Sequence, residues 1–209
     1  FTNVQGIAGS LSSDVVFGSG ITAATELENT IGIAADTTYA DWLTLRASYF
    51  QGDATLQIPA LNPLFTSLRA NGFGNVASRL DFDNDRATFW GLGAEVNRGN
   101  LVLIGEVTGI EVADAFFADR SEFYVSGGWR FGNVLPTLTY GRRDGDAKTD
   151  VIGLLPNVPA LAPLRAGVSQ VVLSEAIDDE YMSLGVRWDF RQNMAFKADY
   201  TQFTTNTPG

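Results

Sequence analysis

The feature that most constrains this chain is a period-two alternation of polar and apolar side chains in segments about ten residues long. Period two places residues i, i+2 and i+4 on one face of a β-strand. Over 181–190 one face reads Met182, Leu184, Val186, Trp188 and Phe190, and the other Tyr181, Ser183, Gly185, Arg187 and Asp189. Over 122–131, Phe123, Val125, Gly127, Trp129 and Phe131 oppose Glu122, Tyr124, Ser126, Gly128 and Arg130. Over 42–51, Leu43, Leu45, Ala47 and Tyr49 oppose Thr44, Arg46, Ser48 and Phe50. Segments 30–39, 86–96, 101–110, 135–143 and 194–203 alternate more loosely, which makes eight predicted strands.

The polar face carries charge in mid-strand: Arg46, Glu95, Glu106, Arg130, Arg187, Asp189, Lys197 and Asp199. An unpaired charge in a dry core costs several kcal/mol, so this face must be wet. The opposite face is apolar, and a soluble sheet would hide it under helices or a second sheet. No periodic amphipathic helix in the sequence is long enough to do so, which leaves lipid. Strands of ~10 residues have the length that a tilted strand needs to cross ~25–30 Å of hydrocarbon.

Connection lengths point the same way. Short turns rich in Asn, Gly and Asp at 39–42, 97–100, 131–135 and 191–193 alternate with long loops at about 8–24, 53–85, 111–121 and 144–180. Short turns at one end and long loops at the other are the pattern of bacterial outer-membrane barrels. Tyr39, Trp129, Phe131, Trp188, Phe190 and Phe196 lie within a few residues of the short turns, mostly on the apolar face, as an interfacial aromatic girdle would. The fold expected is an all-β, transmembrane, antiparallel up-and-down β-barrel with about eight strands visible, occupying 1–209 as one barrel domain or a fragment of one.

Composition removes most alternatives. With no cysteine and no histidine, disulfide frameworks, thiolate nucleophiles, histidine-dependent triads and imidazole metal sites are excluded. A net charge of −10 argues against nucleic acid as a partner. Charged residues are only 18% of the chain, short of the ~25% typical of a soluble domain. The expectation is a non-enzyme that needs no cofactor.

In the order and spacing of "DWLTLRASYFQGD" (41–53), "RATFWGLGAEV" (86–96), "NLVLIGEVTG" (100–109), "FYVSGGWRFGNVLPTLTYGR" (123–142) and "YMSLGVRWDFRQNMAFKADYTQF" (181–203), the chain resembles the Gram-negative outer-membrane porins with long loops. The resemblance implies passive diffusion of small hydrophilic solutes or ions, a homotrimer, lipid and lipopolysaccharide as surroundings, and a place in the bacterial outer membrane. Such porins are usually sixteen-stranded and end on a strand with a terminal aromatic residue, whereas this chain stops at Asn206, Thr207, Pro208 and Gly209. It is therefore expected to be the later half of such a porin; a true eight-stranded barrel, whose interior is filled by side chains, is the competing reading. A non-conducting barrel serving as anchor, adhesin or receptor through its loops is the functional alternative, and a secreted soluble β-protein is a third.

The charged polar-face residues read equally well as a selectivity ladder along a pore wall and as pairs that neutralise one another across strands. Asp81, Asp83 and Asp85 resemble a calcium loop only superficially, because Arg86 occupies the position of its glycine and Leu92 that of its bidentate acid. The three acids are a weak metal candidate beside the expectation of no metal site, as are Glu175, Asp178, Asp179 and Glu180. Segments 61–71 and 154–166 look partly helical, and loops this long are rarely without function.

Overall fold

The computed structural model describes residues 2–16, 22–113 and 115–206, and for 7–16 the backbone alone. Among the described residues, nine strands form one antiparallel sheet in sequence order: β1 (Thr2–Val16), β2 (Thr22–Tyr39), β3 (Leu43–Gln57), β4 (Phe82–Arg98), β5 (Leu101–Val112), β6 (Asp119–Trp129), β7 (Val134–Asp146), β8 (Ile177–Arg191) and β9 (Met194–Thr205). Each strand pairs with its chain neighbour, and the sheet stays open with β1 and β9 as its edges.

All eight expected strands are present, and each extends into segments expected as loop. The ninth, β1, occupies much of the region assigned to a loop over 8–24, of which 17–21 lie outside the described residues. It was missed because Gly6, Gly9 and Ser10, Ser12 and Ser13 break its hydrophobic alternation, and its ladder with β2 slips at Gly9/Leu11. Hydrogen bonding to β2, rather than side-chain pattern, makes it a strand.

The four short connections are tight turns with backbone in the left-handed region, at Ala40 (φ 48°) and Asp41 (φ 59°), Gly99 (59°), Gly132 (63°) and Asn193 (60°). Two successive positive φ values match the twist of a two-residue hairpin, where Asn-Gly is the preferred pair. Ala40 pays a steric cost there that glycine avoids.

The molecule's buried apolar core lies in its long loops. The β3–β4 loop folds into a single helical turn (Pro59–Leu61), α1 (Asn62–Ala70) and α2 (Gly74–Leu80); the β7–β8 loop folds into α3 (Asp150–Gly153), a turn (Pro159–Leu161) and α4 (Ala162–Leu173). Leu68, Leu80, Val76, Val151, Leu155, Val168 and Val172 are fully buried between them, joined by Ala115 and Phe116 of the β5–β6 loop. Arg79 on α2 pairs with Asp150 on α3 at 3.0 Å. Arg165 on α4 donates to the carbonyls of Ile152 (2.8 Å) and Leu155 (2.7 Å), at and just beyond the end of α3.

The two loops share a motif exactly one hundred residues apart. Ile58-Pro59-Ala60-Leu61-Asn62-Pro63-Leu64 corresponds to Val158-Pro159-Ala160-Leu161-Ala162-Pro163-Leu164. Both copies form the same structure, a Pro-Ala-Leu helical turn that feeds a helix with proline in its first turn. Proline fits there because its missing N–H would have no intrahelical acceptor. The helices that follow meet where Leu64 fills the space beside Gly167.

Two outcomes test this account. Leu68→Ala is expected to destabilise the helical assembly by about 2–5 kcal/mol, read as faster hydrogen exchange in 58–81 and 147–176 with the strand ladder unchanged. Ala40→Gly is expected to raise the unfolding midpoint in detergent, by up to ~1 kcal/mol; a fall would show that the turn is not left-handed at that residue.

Candidate pore wall and its helical cap

Cross-strand register settles which residues share a face, since directly paired residues point to the same side. One transverse row runs Asp36, Arg46, Gly93, Glu106, Tyr124, Gly141, Tyr181, Phe203 from β2 to β9. A second runs Thr38, Thr44, Glu95, Ile104, Ser126, Thr139, Ser183, Thr201. Nearer the short turns, Arg187 faces Lys197 and Gly185 faces Asp199. Arg130 reaches Asn97 Oδ1 at 2.8 Å and lines a recess with Arg187 and Asp189. All eight charged residues singled out in the sequence thus lie on one alternation.

The eight do not form one uninterrupted ladder. Arg46 pairs with Asp36 at 3.5 Å, and Tyr124 Oη donates to Glu106 at 3.2 Å. Arg187 forks onto Asp189, two residues along its own strand, with Nη2 at 2.7 Å and Nε at 3.0 Å from Oδ1. Gly93 stands between Arg46 and Glu106 and leaves room for both. Tyr124 and Tyr181, read on the polar alternation from the sequence, belong to this wall, and so does Asp36, which the looser alternation of 30–39 did not single out.

The apolar alternation runs from Val4 on β1 through Ile33, Leu45, Leu92, Leu103, Val125, Leu138 and Leu184 to Tyr200 on β9, all exposed. Exposure is inverted relative to a soluble sheet: on β6, Phe123, Val125 and Trp129 are exposed while Tyr124 and Ser126 are half-buried. The six expected girdle residues, Tyr39, Trp129, Phe131, Trp188, Phe190 and Phe196, are all exposed beside the short turns. Trp188 pairs with Phe196, and its ring centroid lies 5.5 Å from that of Phe190. Among the described residues no helix is long and apolar enough to cross a membrane.

The helical assembly sits on the polar side. The strand residues packed against it, Ala54, Leu56, Ala87 and Val112, belong to the same alternation as Phe50, Phe89 and Ile110. The loops therefore fold inward over the polar face at the long-loop end, as a cap. Ion pairs gather where cap meets sheet: those of Arg120 and Lys148 join a strand to a loop, while those of Arg143 and Arg142 join β7 to β8. Arg120 binds Glu175 at 2.5 Å and lies 4.1 Å from the centroid of the Phe117 ring, while Arg143 binds Asp179 at 2.8 Å. Lys148 Nζ reaches Asp119 at 3.0 Å and the Val112 carbonyl at 2.6 Å, and Arg142 reaches Asp178 at 3.0 Å.

These pairs occupy several of the acids read as weak metal candidates. Glu175, Asp178 and Asp179 face arginines, and Asp81 pairs with Arg69 at 3.2 Å, at the end of α2 and ahead of the strand that carries Asp83 and Asp85. Among the described residues no three carboxylates are grouped to hold a metal ion.

Burial raises the pKa of Glu175 above the usual glutamate value, more than Arg120 lowers it. A carboxyl with a raised folded pKa binds its proton more tightly folded than unfolded, so its charged form costs stability that is recovered as pH falls through the folded pKa. Relative to Glu175→Gln, the wild-type protein should therefore gain stability on acidification from neutral pH towards the ordinary glutamate range. A relative loss in parallel unfolding titrations would show instead that the Arg120 pair dominates.

No family model matches the chain, and no curated protein matches it in sequence. Solved structures do match. An outer membrane protein of Vibrio cholerae, OmpT in a trimer form, superposes with a TM-score of 0.50 and 11% identity, over 95% of this chain and 54% of its own. The outer membrane channel DcaP of Acinetobacter baumannii superposes with a TM-score of 0.54 and 9% identity, over 96% of this chain and 57% of its own. The chain spans little more than half the length of either. Its fold is the antiparallel up-and-down sheet of these Gram-negative outer-membrane barrels.

Proposed function

We propose that this chain forms part of the wall of an outer-membrane porin, a water-filled channel for passive diffusion of small hydrophilic solutes or ions. The observation that carries this reading is the inverted sheet: an uncovered apolar face across all nine strands, backed by a half-buried polar face with charge at mid-strand. Such a sheet is satisfied only with lipid on one side and water on the other. Nine strands over little more than half the length of each solved relative scale to a barrel of about sixteen. That size leaves an aqueous lumen, whereas eight strands leave an interior that side chains fill.

On this reading no covalent chemistry occurs. The wall selects by width and charge, with Arg46, Glu95, Glu106, Arg130, Arg187, Asp189, Lys197 and Asp199 setting the local field. The cap narrows the long-loop mouth, since it packs on the lumen-side residues Ala54, Leu56, Ala87 and Val112. Lipid and lipopolysaccharide surround the barrel, and a homotrimer is the assembly we propose, supported by the trimer form of the Vibrio cholerae protein.

The test is reconstitution of the intact protein in a planar bilayer. Stepwise, stable conductance is expected, and its absence would favour a non-conducting anchor or receptor. Arg130→Ala with Arg187→Ala is expected to shift the anion-to-cation permeability ratio towards cations; an unchanged ratio would mean that these charges only neutralise their neighbours.

A further inference from the structure

The polar face holds two aromatic rings laid flat against the sheet. A Cβ built on Gly141 would collide with the ring of Tyr181, its direct partner on β8, and one built on Gly32 would collide with the ring of Phe50, its partner on β3. Each ring therefore lies across a neighbouring strand where no side chain rises; both rings are half-buried, and Phe203 beside Tyr181 is exposed. Trp90 covers Gly109 in the same way on the apolar face, where only lipid would meet it. What distinguishes the polar-face rings is their surroundings.

Around Tyr181 those surroundings are rich in hydrogen-bonding groups. Phe203 extends the ring surface with its centroid 5.7 Å away, tilted by 40°. Glu122 accepts from Tyr181 Oη at 3.4 Å and Glu106 accepts from Tyr124 Oη at 3.2 Å, which leaves each carboxylate with further lone pairs. The adjacent transverse row, two residues along each strand and so about 7 Å away, is made of hydroxyls: Ser126, Thr139, Ser183 and Thr201 are successive partners from β6 to β9. Thr139 donates to Ser126 at 2.8 Å, and Thr201 to Ser183 at 2.9 Å. The nearby cation Arg143 lies over one face of the Phe203 ring, 6.0 Å from its centroid, and is held by Asp179 at 2.8 Å.

An open ring face suits an apolar, flat C–H surface, and a hydroxyl row with acceptor-rich carboxylates suits a ligand that presents many hydroxyl donors. The acids disfavour an anion. We propose that Tyr181 and Phe203, flanked by the hydroxyl row and by Glu106 and Glu122, form a stacking subsite on the pore wall for a neutral polyhydroxylated ring, the chemistry of a pyranose sugar. This deepens the channel reading and rests on it.

The experiment adds maltotriose to the intact protein conducting in a planar bilayer. Expected are reversible current interruptions whose frequency saturates with sugar concentration, and none with a linear polyethylene glycol of similar size. Tyr181→Leu should shorten the interruptions at least 10-fold, while Tyr181→Phe, which keeps the ring, should retain most of their length. Thr201→Ala should shorten them several-fold and serves where Tyr181→Leu does not insert. Steady conductance with no saturable interruption, or interruptions unchanged by Tyr181→Leu and Thr201→Ala, would overturn the subsite and leave the channel standing. Absence of conductance would overturn both.

Discussion

Everything else in this molecule depends on the antiparallel ladder with its two faces held apart. Backbone groups bond between neighbours along the nine-stranded order, so the strands between its two edges, β2 to β8, carry a ladder on both sides. Period two then does the sorting: a slip of one residue would carry Arg46, Glu106 and Arg187 to the side of Leu45, Gly105 and Val186. The cost of moving charges into an apolar setting, several kcal/mol each, fixes the register more firmly than any single contact. Irregularities at Gly9/Leu11, Glu28/Ile31 and Ala54/Leu56 fall towards the long loops, and one at Trp188/Arg191 falls beside the short β8–β9 turn.

The cap shows the opposite economy. A sheet exposed on its apolar face has no core of its own, and the close-packed interior of this chain is built by three loops meeting over the polar face. Two of them supply the same Pro-Ala-Leu-x-Pro-Leu element. Its prolines fix where each helix begins, and the leucines and valines behind them interdigitate. Ion pairs such as Arg120–Glu175 and Lys148–Asp119 then bind cap to wall with partly shielded charge. Such an assembly moves as a unit or not at all, because its side chains are shared between loops.

Glycine has a particular use in the wall. Where a strand lacks a side chain, its neighbour's aromatic ring lies down on it, as Phe50 does on Gly32 and Tyr181 on Gly141. The gain is cross-strand packing for a residue that is otherwise weak in strands. On the polar face, rings that would otherwise project from the sheet thus become part of its surface.

The sequence by itself determined the fold class, eight of the nine strands, the sidedness of the charged residues and the four turns, because period-two alternation and turn chemistry are local properties that a strand expresses regardless of its partners. It did not reveal β1, whose glycines and serines hide the pattern until β2 supplies hydrogen bonds. The loops read only as partly helical, since their packing against one another is not a local property. Three-dimensional packing alone sets that these loops close into one cap on the polar side, that Glu175 and Asp179 face arginines, and that Tyr181 lies flat on Gly141. Those outcomes depend on which residues the shear of the sheet brings side by side, a non-local quantity that no window of sequence contains.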